Sequence, residues 1–183
     1  ESPARLNLAH WRITDAGLKE LAGQKVMREL TLIGTKIIDA GLKELGGLAE
    51  LRTLDLRGTQ VTGVGLRELA GLKSLKSLDL GSTNVTDAGL KELAGLKALK
   101  TLDLFGTKMT DAGLKNLAAL TNLHYLSLGS KVTDAGLKHL TGLKNLRDLH
   151  VHESKKITRE GLKRLKKEMP GCRIHHHWGY GIH

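Results

Sequence analysis

The sequence has few of the residues that mark a disulfide scaffold, a flexible multidomain chain or a membrane protein. It contains one cysteine, Cys172, so no internal disulfide can form. This lack of disulfides favours the cytoplasm but does not exclude secretion. Only two prolines and no Ser/Gly-rich tract occur, which argues against a flexible linker. No apolar run reaches the roughly 18 residues that a membrane-spanning helix needs.

Aromatic residues are also scarce. They make up 3% of a chain that is 40% hydrophobic, so the core must be aliphatic and mostly leucine. Lys and Arg number 29 against 19 Asp and Glu, which gives a formal net charge of +10. Such a balance attracts anions in general and selects none of them. The chain starts at Glu1 rather than methionine, which is compatible with an upstream signal peptide, anchor or further domain.

What the sequence has instead is a repeat of 24 residues, most regular from Ser77 to Lys100. One leucine phase is marked by Leu6, Leu30, Leu54, Leu78, Leu102 and Leu126, with Leu149 one residue early and Cys172 assigned to the slot 23 residues later. Self-similarity at such a period is typical of a solenoid. The pattern predicts a single domain over 1–183, with about seven repeats of 23–24 residues over 5–171. A capping strand and a His/aromatic tail are expected over 172–183.

Each repeat combines a strand pattern with a helix pattern. Leu78 and Leu80 alternate with polar residues, as in a half-buried strand. After a turn, Thr86 stands at the N-cap of a short helix, with Asp87 in its first turn. Leucines spaced by three then predict one buried stripe. One turn position repeats a threonine, whose hydroxyl we expect to bond backbone groups along the stack: Thr35, Thr59, Thr83 and Thr107.

Each repeat follows the pattern LxxLxLxxTxVTDAGLxxLxxL, which resembles a leucine-rich repeat with threonine where many members carry asparagine or cysteine. It is similar to bacterial leucine-rich repeat proteins with TDAGL helix starts. It also resembles the cysteine-containing repeats of F-box adaptors, although no F-box is present. The resemblance covers roughly Arg5 to Ile174. It implies an α/β repeat solenoid, a right-handed arc with a parallel concave sheet and short helices on the convex side.

The resemblance also implies a non-enzymatic module that binds another protein, of unknown identity, on its concave sheet. Strand alternation selects the side chains on that face. Phe105 and Tyr125 lie there on adjacent strands, and exposed aromatic residues are typical interface anchors. The alternative is that the two rings merely shield the sheet. We predict a partner-binding surface that includes Arg57, Asp103, Phe105, Tyr125, Asp148 and His150.

A row of carboxylates crosses the same face. Asp55, Asp79 and Asp103 are expected about 5 Å apart at strand spacing. Their mutual repulsion invites a basic partner group or a cation, although a solvated face is the simpler interpretation. No nucleophile accompanies them, and no Walker loop, GxSxG elbow or HExxH motif occurs. The sequence therefore predicts neither catalytic residues nor a small-molecule substrate.

Histidines near the end of the chain suggest a second function. His150 and His152 share a strand face, and the predicted register places His175 beside His152, with His177 beyond. Imidazoles about 5 Å apart on neighbouring strands can share a zinc or copper ion. The alternative is adventitious binding by a histidine-rich tail. Cys172 occupies a leucine slot and is expected to be a buried hydrophobic residue, not a ligand.

Basic residues on the predicted outer face suggest a third function, the binding of a polyanion. They recur along the helices, at Lys19, Lys43, Arg67, Lys91, Lys115, Lys138 and Lys163. Nucleic-acid binding is not expected, because a basic groove with stacking aromatic residues is missing. The open edges of the sheet allow either a monomer or a weak dimer.

Overall fold

The computed structural model describes residues 4–152 and 154–176 of the chain. Within them, eight strands form one parallel sheet in sequence order. The strands are Arg5–Asn7 (β1), Glu29–Thr31 (β2), Thr53–Asp55 (β3), Ser77–Asp79 (β4), Thr101–Asp103 (β5), Tyr125–Ser127 (β6), Asp148–His150 (β7) and Arg173–His175 (β8). This open sheet, with a short helical segment after each of the first seven strands, confirms the predicted α/β repeat solenoid.

The helical segments lie on the other side of the core from the exposed sheet face. The α-helices are Asp15–Leu18 (α1), Asp39–Leu45 (α2), Asp87–Glu92 (α3), Asp111–Leu117 (α4), Asp134–Leu137 (α5) and Arg159–Glu168 (α6). Four 3-10 helices span Lys19–Leu21, Gly65–Gly71, Leu93–Gly95 and Lys138–Leu140. Among the described residues, no helix has the length and apolar character needed to cross a bilayer.

Leucines from strands and helices form one continuous core. In β4, Leu78 is fully buried, whereas Ser77 and Asp79 on either side are only half-buried on the opposite face. The predicted helical stripe is buried as well, at Leu90, Leu93, Leu96 and Leu99. Each such leucine contributes roughly 1.5–3 kcal/mol before entropy. A six-residue helix such as α3 is marginal alone, so packing between neighbouring repeats maintains it.

The recurring turn threonines are buried as predicted, but they act within their own repeats. The Oγ1 of Thr83 donates to the carbonyl oxygen of Leu80 at 2.6 Å, and Thr35, Thr59 and Thr107 make the same bond three residues back. The prediction that these hydroxyls bond backbone groups is confirmed, but each bond lies within one repeat and not between repeats. The turn places each hydroxyl beside a carbonyl oxygen of its own repeat. The hydroxyl proton is donated to that oxygen, so it is not available to a neighbouring repeat.

One series of bonds between repeats on the helix side comes from the aspartates that begin α1 to α5. The carboxylate of Asp87 accepts hydrogen bonds from the backbone N–H of Thr110 at 2.7 Å and from its Oγ1 at 2.6 Å. The same two bonds join Asp39 to Thr62, Asp111 to Thr133 and Asp134 to Thr158. Asp15 bonds only the backbone of Ile38, which has no hydroxyl. We call this series the aspartate–threonine ladder.

The ladder is interrupted between the third and fourth repeats. Gly63 stands where the aspartate belongs, so Thr86 lacks the carboxylate partner that the equivalent threonines have. The helical segment of the third repeat, Gly65–Gly71, is 3-10 rather than α. The backbones of the third and fourth repeats approach closely at this point. A methyl group at Gly63 would lie only 2.6 Å from the backbone nitrogen of Gly89. Glycine at both positions makes this approach possible.

The last strand differs from the predicted register. Ile174, rather than Cys172, pairs with Leu149, so the last step is 25 residues instead of 23. The longer turn after β7 takes up the additional residues. Cys172 lies just before β8, where it is buried at 2% exposure, and this burial raises the pKa of its thiol. Its prediction as a buried hydrophobic residue is therefore confirmed, although its place in the repeat is not.

Candidate protein-binding site

A pocket of about 360 Å³ lies on the exposed face of the sheet. We call it the sheet pocket. It is lined by Arg57, Asp79, Gly81, Ser82, Asp103, Phe105, Tyr125, Ser127, His150 and His152. Five of the six residues predicted for partner binding meet here, and Asp148 is the exception. The in-register pairing of β3 to β7 brings them together, since residues 24 apart in sequence, or 23 apart between β6 and β7, become neighbours on the face.

The aspartates of the row have one oxygen committed to local structure. The Oδ1 of Asp103 accepts a hydrogen bond from the backbone N–H of Phe105 at 2.8 Å. Equivalent bonds run from Arg57 to Asp55 and from Gly81 to Asp79. Each bond closes the turn after its strand, which explains why the LDL pattern recurs. The Oδ2 of Asp103 accepts no hydrogen bond from the described residues and remains available.

Arg57 neutralises one end of the row. Its Nη2 lies 3.1 Å from Oδ2 of Asp55 and 3.4 Å from Oδ2 of Asp79, so it bridges two strands. The hydrogen bond to Asp55 and the charge of Asp79 raise the pKa of Arg57. The pKa of Asp79 is nevertheless raised, first by burial and then by the charges of Asp55 and Asp103. One arginine against three carboxylates leaves this part of the face negative.

Phe105 and Tyr125 form the apolar wall of the pocket. Both are half-buried, so each packs against the sheet and keeps part of its ring exposed. Burial, followed by the charges of Asp103 and Asp79, raises the pKa of Tyr125. Its hydroxyl therefore stays protonated at neutral pH and can donate a hydrogen bond. A partner meets apolar ring surface and negative charge side by side.

His150 lies at the centre of a group of rings. Its ring centroid is 4.9 Å from that of Tyr125, 5.1 Å from that of His152 and 4.3 Å from that of His175, with which it stacks. The Nδ1 of His150 lies 2.9 Å from Nε2 of His152, so one of these atoms donates and the other accepts. Burial first, and then the neighbouring imidazoles, lower the pKa of His150, which is therefore neutral at pH 7.

The prediction that His175 lies beside His152 was wrong. The register places His175 beside His150, because the longer turn after β7 shifts β8 by two residues. His177 lies outside the described residues. Within residues 4–152 and 154–176, no group of three or more His, Cys, Asp or Glu side chains is arranged to hold a metal ion. Metal binding by the histidines stays a prediction.

The comparison with known families agrees with this architecture. Residues 10–170 match the model of the leucine-rich repeat region. The chain belongs to the leucine-rich repeat family. Among solved structures, this leucine-rich repeat protein is similar to internalin C2 from Listeria monocytogenes, with 25% identity and a TM-score of 0.67. That match covers 95% of this chain and 80% of the internalin.

A second solved structure, a leucine-rich repeat protein of Leptospira interrogans, is 22% identical with a TM-score of 0.52. The match covers 85% of this chain but 50% of the Leptospira chain, so it shows the fold alone. The comparison with curated proteins gives no match. The two structures support the bacterial type of repeat expected from the TDAGL helix starts. The family match and the internalin structure also support the general role of the family as a protein–protein interaction module, which is typically not enzymatic.

Asp148, the sixth predicted contact of this leucine-rich repeat protein, has both oxygens occupied. Nε of Arg173 lies 2.8 Å from its Oδ1 and Nη2 lies 2.9 Å from its Oδ2. Nε2 of His175 lies 3.2 Å from Oδ1. The hydrogen bond from Arg173 is the main reason that the pKa of Asp148 is lowered. Asp148 therefore holds the last two strands together, and its part in partner binding stays a prediction.

The sequence-based set of contacts missed five residues that line the pocket: Asp79, Gly81, Ser82, Ser127 and His152. Asp79 was recognised as part of the carboxylate row but was not included among the contacts. Ser82 lies in the turn after β4, where its φ of 53° is in the left-handed region. Ser127 is 3% exposed and lies in register with His150. The period gave a usable signal for Asp79 and Ser127, which lie in the column of Asp55 and Asp103. His152 was predicted on the same face as His150, but as a metal ligand.

Proposed function

We propose that this leucine-rich repeat protein binds a partner protein through the exposed face of its sheet and catalyses no reaction. The sheet pocket is the observation that supports this proposal. In it, Phe105 and Tyr125 present partly exposed rings beside carboxylates that Arg57 only partly neutralises. Interface hot spots combine aromatic anchors with polar groups in this way. The rigid strands below hold these side chains in fixed positions, which favours recognition.

The side chains of the pocket also argue against catalysis. Ser127 and His150 are neighbours in register, but Ser127 is only 3% exposed. The Nδ1 of His150 is engaged with His152 at 2.9 Å. A nucleophile needs a base within hydrogen-bond reach and access to substrate. The pocket supplies recognition chemistry rather than an activated nucleophile.

The proposal is tested by affinity capture from a lysate, followed by measurement of the affinity for each captured protein. The Phe105→Ala, Tyr125→Ala double variant should lose a partner that the parent retains, with an affinity loss of about 30-fold or more. Thermal unfolding verifies that the stack persists. The matched control is Trp11→Ala with Val64→Ala, which removes two other apolar side chains that are each 66% exposed. Equal capture by all three proteins would exclude the pocket as the binding surface.

The histidines support a second proposal, the binding of zinc or copper by His150, His152, His175 and His177. The rings of His152 and His175 have centroids 5.1 Å and 4.3 Å from that of His150, so the three imidazoles lie close together. Calorimetric titration with zinc should then show one site that the His150→Gln, His152→Gln double variant loses. If that variant binds zinc as the parent does and His177→Gln does not, the binding belongs to the tail alone.

The net charge of +10 supports a third proposal, binding of a polyanion by the outer face. Retention on heparin should then fall steeply with salt, in proportion to the number of contacts. Lys91→Ala with Lys115→Ala should reduce retention, whereas Phe105→Ala with Tyr125→Ala should leave it unchanged. Retention that is insensitive to salt would exclude this function.

A further inference from the structure

Arg57 neutralises one pair of carboxylates in the row. The next pair, one strand further along the sheet, has no equivalent arginine. Arg57 bridges Asp55 and Asp79 on β3 and β4. Asp79 and Asp103 are paired in the same register on β4 and β5. The residue placed to bridge this second pair is Gly81, 24 positions after Arg57. It has no side chain, so no described residue bridges the second pair as Arg57 bridges the first.

The missing side chain leaves room in the sheet pocket, which Gly81 lines. A methyl group at Gly81 would lie 3.5 Å from Cγ of Arg57 and 3.5 Å from the carbonyl oxygen of Phe105, which are ordinary contacts. It would lie 3.0 Å from Oδ1 of Asp79, which would have to move by a few tenths of an ångström. Gly81 is not among the glycines with positive φ, so its backbone does not require glycine. The effect of glycine here is to open the sheet pocket above Asp79.

We propose that an arginine side chain of the partner protein fills this space, with its guanidinium between Asp79 and Asp103. The inference rests on the proposed function and specifies the chemistry of the partner. The available Oδ2 of Asp103 accepts one N–H, and the ring faces of Phe105 and Tyr125 receive the planar cation. A guanidinium combines both interactions, because it donates in a plane and stacks on aromatic rings.

The size and charge of the site agree with this occupant. Its volume of about 360 Å³ lies near the lower end of the roughly 300–1,000 Å³ of ligand pockets. This suits one long side chain better than a folded element. Because the chain as a whole carries +10, a strongly basic partner would be repelled at a distance. The partner segment is therefore neutral or acidic apart from the arginine that enters the pocket.

The test uses N-acetylarginine amide as the probe, titrated into the full chain while backbone amide signals are followed by NMR. The signals of Phe105 and Tyr125 should shift and saturate. N-acetylcitrulline amide has nearly the same shape without the charge and should cause no saturable shift. N-acetyllysine amide should bind more weakly, since it lacks the planar group. No saturable shift with the arginine probe, or equal binding of either analogue, would overturn the proposal.

Two variants locate the binding. Asp103→Asn keeps an oxygen for the N–H of Phe105 but removes the charge, and it should weaken the probe about tenfold. Gly81→Arg should supply the missing bridge from within the chain and abolish binding of the probe. If Gly81→Arg proves unstable in thermal unfolding, Asp103→Asn still decides the matter. Unchanged affinity in Asp103→Asn would overturn the assignment to this pair of carboxylates.

The experiments distinguish failure of the proposed sheet-face interface from failure of the proposed arginine. Suppose that Phe105→Ala with Tyr125→Ala loses the partner but the arginine probe does not bind. The sheet face is then the interface, and the arginine is wrong. If the probe binds and the partner is retained by the double alanine variant, the proposed function fails at this face although the pocket recognises arginine.

Discussion

The side chain of Asp87 accepts two hydrogen bonds from Thr110, one from its backbone N–H and one from its hydroxyl, across a separation of 23 residues. The two residues begin successive helices, so the bonds join neighbouring repeats on the helix side. On the opposite side the sheet already joins them. Where the ladder is intact, each repeat is therefore joined to the next on both the sheet side and the helix side.

Replacing Asp87 with alanine removes both bonds. Because each net hydrogen bond contributes about 1 kcal/mol, the free energy of unfolding should fall by about 2 kcal/mol. Thr110→Val removes the hydroxyl, which bonds Asp87 and also accepts the N-cap bond from the backbone N–H of Ala112, so it should cost about 1–2 kcal/mol. Asp15→Ala is the comparison, since Asp15 makes only the backbone bond to Ile38. Urea unfolding measures all three, and equal stability of parent and Asp87→Ala would contradict a stabilising ladder.

The close approach of Gly63 and Gly89 predicts a large effect of a small substitution. Gly63→Ala places a methyl group 2.6 Å from the backbone nitrogen of Gly89, so the repeats must shift. We expect a loss of about 1–3 kcal/mol from overpacking. Gly142→Ala is the matched control, since no atom lies within 4 Å of its added methyl group. That control should be neutral or stabilising by up to about 1 kcal/mol in thermal unfolding. Two equally stable variants would refute the close contact.

Asp79→Asn should stabilise the fold while weakening recognition. In the folded protein the pKa of Asp79 is raised, mainly by burial and also by Asp55 and Asp103. The charged form is therefore disfavoured by folding at pH 7, and this penalty disappears as pH falls through the folded pKa. Asparagine removes the penalty and keeps an oxygen for the N–H of Gly81. After solvent screening the gain is less than about 1 kcal/mol.

The same variant should bind N-acetylarginine amide about tenfold more weakly, because one of the two charges is lost. Thermal unfolding at pH 7 and at pH 3 measures the stability, and the gain should be confined to pH 7. A variant that is both less stable and as tight a binder as the parent would contradict the electrostatics described for this row.

The lowered pKa of His150 leads us to expect a loss of folding stability in mild acid. Its pKa is lowered in the folded state from an ordinary value of 6.5, first by burial and then by His175 and His152. As pH falls below 6.5, the unfolded chain binds a proton that the folded chain does not. Stability should therefore decline from pH 6.5 down to the folded pKa of His150.

His150→Phe keeps a ring in the stack and removes the titration, so this decline should become shallower. His139→Phe is the control, because it replaces a histidine on the helix side. Asp148 affects stability in a separate pH range. Its pKa is lowered in the folded state, so its contribution to stability is present above pH 3.8 and is lost only in stronger acid. Chemical unfolding between pH 8 and pH 4 separates the two effects. An identical decline in parent and His150→Phe would exclude His150 as its source.

The repeat could be predicted from the sequence because its period fixes the neighbours. Residues 24 apart must meet on adjacent strands, so the column of Asp55, Asp79 and Asp103 was predictable without coordinates. The recurring glycine of the TDAGL start has a similar explanation. A methyl group at Gly113 would lie 2.5 Å from Oδ1 of Asp87, so glycine makes room for the carboxylate of the preceding repeat.

The sequence was less informative where a bond or a turn departs from the repeat. A threonine hydroxyl has several acceptors within reach, and the sequence does not state that Thr83 bonds Leu80 in its own turn. The turn after β7 is longer than the others, so counting from Leu149 led to Cys172 instead of Ile174. That shift moved His175 by two positions. Its position on the face depends on loop length, which periodicity does not specify.

The interruption of the ladder at Gly63 also has a consequence for how the chain unfolds. In a stack where each unit contacts only its neighbours, cooperativity depends on the weakest junction. The junction between the third and fourth repeats lacks the carboxylate bonds of the ladder and follows a 3-10 segment, so we expect any partial opening of the stack to occur there. Arg57 belongs to the block before the junction, and Asp79 and Asp103 belong to the block after it. A partial opening there would therefore separate the arginine from Asp79 and increase the negative charge that the second block presents.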